Sequence, residues 1–133
     1  MKTRRFFILL LIALLPFVEC AGQESGWIGG IYYTLDTENF TATVSMQSFS
    51  SPYESYKGDI VIPETLVYEG NVYSVTSIGE RAFYSAYSMT SVIIPKTVTS
   101  IEKLAFWECR GLTSITIPKG VKSIDGDAFF HCI

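Results

Sequence analysis

The chain has 133 residues, of which 48% are hydrophobic and 14% aromatic, and its formal net charge at pH 7 is −3. This length suits a single domain. An acidic chain without a cluster of lysines and arginines is a poor partner for nucleic acid, so we exclude a nucleic-acid binder.

The N-terminus carries a targeting signal. Three basic residues within the first five are followed by an apolar core at residues 6–15 and a small-residue end at Cys20-Ala21-Gly22. This order predicts a secretory signal peptide over residues 1–22, and the apolar run is too short for a transmembrane helix. We therefore expect an exported protein, either secreted or at the cell surface.

Cys20 leaves the form of the exported product open. Cleavage just before Cys20 would allow a lipid anchor, as in an outer-membrane lipoprotein, but such signals place a small residue where this chain has Glu19. Simple cleavage between Cys20 and Gly22 is therefore favoured. Loss of residues 1–22 removes three basic residues and one acidic residue. The remainder has seven basic and twelve acidic residues, a net charge of −5.

Residues 23–74 are expected to form an N-terminal β-hairpin cap. Apolar and polar residues alternate on both sides of Asp36-Thr-Glu-Asn39, which predicts a first hairpin. Residues 47–57, rich in Ser and Tyr, predict a loop. Ile60-Val-Ile-Pro63 resembles a degenerate first strand of the region that follows, and a second hairpin is predicted to turn at Gly70-Asn71.

From Val75 onward the sequence repeats every 23 residues. Residues 75–97 and 98–120 are complete copies, and a third begins at Val121 and reaches Ile133. A fixed period of this length predicts a solenoid, in which each copy buries its apolar face against its neighbours. The fold class is therefore mostly β, a short leucine-rich-repeat solenoid (75–133) behind the N-terminal cap. The columns shared by all three copies are Val75/Val98/Val121, Ile78/Ile101/Ile124, Ala82/Ala105/Ala128 and Phe83/Phe106/Phe129.

Each complete copy contains the spacing of a short strand. Leu112-x-x-Ile115-x-Ile117 follows the L-x-x-L-x-L pattern of the concave wall of a leucine-rich repeat. Because successive side chains of a strand point to opposite sides, Ile115 and Ile117 both point inward. The outward strand residues, which are the concave-face candidates for ligand binding, are Val61, Ser91, Ile93, Ser114 and Thr116.

The repeats resemble those of the BspA-like leucine-rich-repeat family of bacterial surface and secreted proteins. The residues that carry this resemblance are Ala105-Phe106, Cys109, Leu112, Ile115, Ile117-Pro118, Val121 and Ile124. The resemblance implies a binding protein that adheres to host matrix or to other cells through a protein or glycan ligand. It implies no shared reaction, because such a family shares a scaffold and not a chemistry.

The cysteines occupy one column of the repeat. Cys109 and Cys132 are 23 residues apart, and Ala86 takes the same place one copy earlier. A column that accepts alanine or cysteine favours a small buried residue. Because exported proteins enter an oxidising environment, Cys109 and Cys132 could form a disulfide, provided that their Cα atoms approach within about 7 Å. Two thiols without C-x-x-C spacing do not predict a zinc site.

No catalytic, metal-binding or cofactor-binding residue is predicted. His131 is the only histidine, and the sequence has no G-x-S-x-G, H-E-x-x-H or phosphate-binding loop motif. Glu102 and Asp125 share one repeat column, as variable solvent-facing residues do. Nothing in the sequence activates a carboxylate for glycoside cleavage, so we do not expect an enzyme.

An aromatic residue follows each Ala-Phe pair. These residues, Tyr84, Trp107 and Phe130, form either a half-buried aromatic ladder between copies or an exposed stripe that stacks on a ligand. The sequence alone does not choose between the two interpretations. We therefore keep the three residues as ligand-binding candidates beside the concave-face set.

Two hypotheses of different classes remain. The first is a binding module; the alternative is a truncated remnant or structural stub of a longer repeat protein without its own ligand. In the 133-residue chain the strand at Ser114–Ile117 has no following strand. Because an uncovered edge can pair with another chain, self-association through this C-terminal edge is also expected.

Overall fold

The computed structural model describes residues 22–47 and 56–132, so most of the signal peptide and of the predicted loop at 47–57 lies outside the described residues. The described part is built from strands and contains no helix. None of it could therefore cross a membrane as a long apolar helix. The strands are β1 (Gln23–Ile28), β2 (Ile31–Asp36), β3 (Thr41–Val44), β4 (Lys57–Val61), β5 (Thr65–Tyr68), β6 (Asn71–Ile78), β7 (Ser88–Ile93), β8 (Ser100–Ile101), β9 (Ser114–Thr116) and β10 (Ser123–Ile124).

The larger sheet joins the N-terminal region to the repeats. Strands β1, β2 and β3 form an antiparallel meander, and β3 then pairs in parallel with β6. Strands β8 and β10 add to β6 in parallel, one from each following copy, while β5 pairs with the first half of β6. The sheet is open, with order β1-β2-β3-β6-β8-β10. The N-terminal meander therefore continues the sheet of the repeats, and the parallel pair β3–β6 joins the two parts.

The smaller sheet contains the three strands that the L-x-x-L-x-L pattern predicts. Strands β4, β7 and β9 are parallel and lie side by side in that order. Residues 23 apart, such as Ser91 and Ser114, are opposite one another. The pairing of β4 with β7 confirms that residues 60–62 begin the strand series of the repeats.

Three elements differ from the sequence prediction. Strand β1 was not predicted, because its first four residues, Gln23–Gly26, include no apolar side chain that would start an apolar alternation. The second hairpin turns at Glu69-Gly70, one residue earlier than predicted, and both residues have positive φ (47° and 78°), as a two-residue type I′ turn requires. The returning segments of the second and third copies also contribute two-residue strands, β8 and β10, which are too short to produce a sequence pattern.

The returning segments repeat their backbone conformation as well as their residues. Two columns of non-glycine residues have positive φ, between 54° and 61°: Arg81/Leu104/Asp127 and Ser85/Glu108/His131. Left-handed residues turn the chain sharply and cost free energy individually. Hydrogen bonds between successive copies offset this cost: the Phe83 N–H donates to the Ala105 carbonyl at 2.8 Å, and the Phe106 N–H donates to the Ala128 carbonyl at 2.7 Å.

A column of stacked phenylalanines forms the centre of the core. Phe106 is fully buried between Phe83 and Phe129, at ring-centroid distances of 5.1 and 5.0 Å. Tyr56 covers the other side of Phe83 at 4.7 Å, with its ring inclined by 62°. The stack confirms that the Phe column fills the interior. A residue from outside the repeats ends that stack on its N-terminal side.

Serine and threonine side chains connect the strands across one face of the larger sheet. Each strand along the path from β1 to β10 contributes one residue to a row in which neighbouring residues are paired across the sheet. The row is Ser25, Thr34, Thr43, Ser77, Ser100 and Ser123. The Thr43 and Ser77 hydroxyls are 2.7 Å apart, and the Ser45 hydroxyl donates to that of Thr34 at 2.7 Å. The Thr43–Ser77 bond joins the meander to the first repeat, and the Ser45–Thr34 bond lies within the N-terminal region.

Two expectations about burial are wrong in the second and third copies. Ile117 was predicted to point into the core but is 37% exposed, whereas its counterpart Ile94 is buried. Cys132 is only half-buried, although Cys109 is fully buried. In both cases no further strand or turn of the described chain covers the residue, so its apolar surface remains partly in solvent.

Tyr33 provides a test of the core of the N-terminal region. Its hydroxyl is buried without a hydrogen-bond partner in the described part of the chain, and burial raises the pKa of this phenol to about 12. Because removing an unpaired buried hydroxyl removes a desolvation cost, we expect Tyr33→Phe to leave the free energy of unfolding unchanged or to raise it by about 1 kcal/mol. Urea unfolding measures this change.

Tyr56→Phe is the matched control, since the Tyr56 hydroxyl accepts a hydrogen bond from the Tyr32 N–H at 3.2 Å. This substitution should cost about 0.5–1.5 kcal/mol. A loss of more than about 1 kcal/mol in Tyr33→Phe would show that its hydroxyl is paired after all.

Candidate ligand-binding site

The outward side of β4, β7 and β9 forms a continuous surface, which we call the three-strand face. Two rows cross it. Val61 lies opposite Ile93, which lies opposite Thr116, and Asp59 lies opposite Ser91, which lies opposite Ser114. Parallel strands are about 4.8 Å apart, so each row presents one side chain at that interval. Five of these six residues are the concave-face candidates from the sequence, and the structure places them together.

The three-strand face exposes aliphatic side chains where a solvent-facing strand normally carries polar ones. Val61 is 61% exposed and Ile93 is 58% exposed, although the two are direct neighbours in the sheet. Ser114 and Thr116 are also exposed. The inward residues of the same strands, such as Met89 and Val92, are buried. The face is therefore a separate apolar and hydroxyl-bearing surface, not an extension of the core.

A β-bulge builds the polar end of the three-strand face. The register between β4 and β7 shifts after Gly58, which has φ 68°, so that both Thr90 and Ser91 reach Asp59. The Ser91 hydroxyl donates to Asp59 Oδ1 at 2.6 Å, and the Thr90 hydroxyl donates to the same oxygen at 3.0 Å. Bulges often redirect side chains next to binding sites. Here the bulge holds one exposed carboxylate in place.

Asp59 was missed by the sequence analysis. The hydrogen bonds from Ser91 and Thr90 lower the pKa of its carboxyl group, so it is ionised at neutral pH. Its position two residues before Val61 would have placed it on the same outward face. The two hydroxyl donors depend on the bulge, which the repeat pattern does not predict.

The aromatic column forms a ladder of stacked rings. Tyr84 and Trp107 are 6.3 Å apart and nearly parallel, at 4°, and Trp107 and Phe130 are 4.6 Å apart at 21°. Tyr84 and Trp107 are half-buried, while Phe130 is 45% exposed and also contacts the His131 ring at 4.2 Å. The sides of these rings that face one another are therefore occupied by other rings of the protein.

The cysteine column connects successive copies through backbone carbonyls. Cys109 Sγ donates to the Phe83 carbonyl at 3.0 Å, and Cys132 Sγ donates to the Phe106 carbonyl at 2.9 Å. Both thiols are free. Burial raises the pKa of the Cys109 thiol to about 12, which keeps it protonated and able to donate. Within the described ranges no group of three His, Cys, Asp or Glu residues is arranged to hold a metal ion.

Comparison with known families identifies the repeats. Residues 72–133 match the model of the BspA type leucine-rich repeat region (6 copies). The repeat region, residues 72–133, belongs to the BspA-type leucine-rich-repeat family. The match confirms the resemblance drawn from the Ala-Phe, Ile-x-Ile-Pro and Val-x-x-Ile columns, and it extends a few residues upstream of Val75.

Three solved structures of leucine-rich-repeat proteins are similar to this chain. A leucine-rich cell surface protein from Faecalibacterium prausnitzii A2-165 is 32% identical, with a TM-score of 0.66 over 82% of this chain and 28% of that chain. A protein from Bacteroides ovatus ATCC 8483 is 31% identical, with a TM-score of 0.62 over 89% and 27%. A protein from Bacteroides capillosus ATCC 29799 is 26% identical, with a TM-score of 0.58 over 77% and 88%.

The chain thus spans about a quarter of the length of the first two structures. A search among curated proteins finds no match.

Proposed function

We propose that this BspA-type chain is part of an exported or cell-surface recognition protein that binds a protein or glycan ligand through the three-strand face. The observation that carries the proposal is the exposed, in-register pair Val61 and Ile93 beside the ordered carboxylate of Asp59. Adjacent exposed aliphatic residues on a sheet favour an interaction surface. The basic, apolar and small-residue order of residues 1–22 supports export.

In this proposal residues 75–133 form a solenoid, and residues 23–74 cap its N-terminal end. Two observations support the cap. The β1–β2–β3 meander continues the sheet to which β6, β8 and β10 belong, and Tyr56 covers the first ring of the phenylalanine column. An uncovered solenoid end would expose that column to water. The cap would then hold β4 beside β7 and so complete the three-strand face.

We assign the aromatic ladder mainly to bracing successive copies. A sugar ring stacks on a free aromatic face, but the facing sides of Tyr84, Trp107 and Phe130 are occupied by one another. Phe130, the most exposed ring of the three, is the part of the ladder left to contact a ligand. The three-strand face is therefore the first surface to test.

A binding panel with matched variants tests this function. The purified protein is assayed against host-matrix proteins and a glycan array, together with Ile93→Lys and the control Val67→Lys. Both positions are exposed strand residues, 58% and 64%, and both substitutions add the same charge, but Val67 lies in β5 of the other sheet. Ile93→Lys should weaken binding by roughly tenfold or more, and Val67→Lys should leave it unchanged.

Two results would overturn the proposal. The first is equal binding by Ile93→Lys and the unsubstituted protein, which would place the ligand elsewhere. The second is a complete absence of binding across the panel, which would favour the structural-stub alternative.

A further inference from the structure

The three-strand face carries one carboxylate, that of Asp59, which forms no ion pair within the described residues. Asp59 Oδ1 accepts both hydroxyl donors, and Oδ2 accepts none from the described residues. The ion pairs within ranges 22–47 and 56–132 join Arg81 to Glu80, Lys96 to Glu64 and Arg110 to Glu108, so Asp59 takes part in none of them. A hydrogen-bonded carboxylate with a free oxygen can accept a charge-assisted hydrogen bond from a lysine or arginine.

The apolar part of the face lies at a defined distance from this carboxylate. Val61 is two residues after Asp59 on the same side of β4, a separation of about 6.6 Å along a strand. Ile93 lies beside Val61 and widens the apolar surface. An extended polypeptide has the same spacing between side chains i and i+2. The two features of the face can therefore be contacted together by one extended segment.

We propose that the ligand of the three-strand face is an extended protein segment in which a lysine or arginine stands two residues from an aliphatic residue. The cation binds Asp59 Oδ2, and the aliphatic side chain packs on Val61 and Ile93. This inference rests on the proposed function and specifies the partner of the same surface. Charge complementarity selects the cation, since the chain is acidic overall.

The composition of the face favours protein over glycan as the ligand. Sugar-binding surfaces use aromatic rings as stacking platforms, and the six residues that define the face include no aromatic residue. Aliphatic residues next to a carboxylate instead match a mixed apolar and basic peptide.

A peptide-binding measurement tests the inference. The probe is a fluorescently labelled peptide of three tandem Lys-Ser-Val-Ser units, and fluorescence anisotropy reports its binding to the purified protein. Two control peptides replace lysine with glutamate or place lysine directly beside valine. The protein variants are Asp59→Asn, which keeps the acceptor oxygen but removes the charge, and Asp125→Asn, which removes an exposed carboxylate outside the face.

The Lys-Ser-Val-Ser peptide should bind roughly tenfold more tightly than either control peptide, and 0.5 M salt should weaken it. Asp59→Asn should abolish this preference, while Asp125→Asn should retain it. Equal binding of lysine and glutamate peptides, or an unchanged Asp59→Asn variant, would overturn the inference. If the peptide does not bind while Ile93→Lys still weakens binding to a panel ligand, the proposed function stands and only the partner is wrong. If the peptide does not bind and Ile93→Lys has no effect on a panel ligand, the inference and the proposed function are both wrong.

Discussion

Phe106→Ala should lower the free energy of unfolding by about 3–5 kcal/mol, because truncation removes a ring with no solvent exposure and leaves a cavity that its neighbours cannot fill. Phe83 and Phe129 stack on opposite sides of Phe106, at 5.1 and 5.0 Å. The backbones of both residues are hydrogen-bonded within their turns, which restricts the movement of the rings into the cavity. Urea or guanidinium unfolding followed by tryptophan fluorescence measures the change.

Thr116→Ala is the control for Phe106→Ala. Thr116 is exposed on the three-strand face, so its truncation should cost less than about 0.5 kcal/mol. Similar costs for the two substitutions would contradict the assignment of inward and outward positions in the repeat. An unchanged m-value in both variants would confirm that the difference lies in stability and not in the extent of unfolding.

Gly111→Ala should also destabilise the protein, by about 1–3 kcal/mol or more, because no space exists for a methyl group between two copies. A Cβ atom at Gly111 would overlap the Tyr87 carbonyl oxygen and lie 2.9 Å from the Met89 carbonyl oxygen. Both obstacles are backbone atoms of the preceding copy. They cannot move without separating β7 from β9, so thermal and denaturant unfolding should both shift.

Gly126→Ala controls for the intrinsic effect of replacing glycine with alanine. A Cβ atom there meets no other atom within 4 Å, and we expect a change of less than about 0.5 kcal/mol. If Gly111→Ala were as stable as Gly126→Ala, the two copies could not be as closely packed as the structure has them.

The 23-residue period predicted most of the repeat region because stacked copies place equivalent residues next to one another. Phe83, Phe106 and Phe129 share a column in the sequence and a stack in the structure. The same reasoning aligned residues 60–62 with the later strands, and the pairing of β4 with β7 confirms it. Periodicity thus predicts both the register and the inward face wherever a neighbouring copy exists.

Features that depend on departures from the period could not be predicted in this way. Asp59 enters the candidate site because a bulge after Gly58 brings Thr90 and Ser91 to one carboxylate oxygen. A bulge changes the pairing by one residue without changing the repeat length. Ile117 is exposed for a different reason: its burial depends on a neighbouring strand and not on its own residue type.

The most direct test of the account is a methyl and indole NMR titration of the purified protein with a ligand from the binding panel. The methyl resonances of Val61 and Ile93 report on the three-strand face, and the indole N–H of Trp107 reports on the aromatic ladder. Both aliphatic side chains are exposed, so ligand contact should shift their signals directly. We predict saturable shifts at Val61 and Ile93 with an unchanged Trp107 signal, whereas shifts at Trp107 alone would contradict the account.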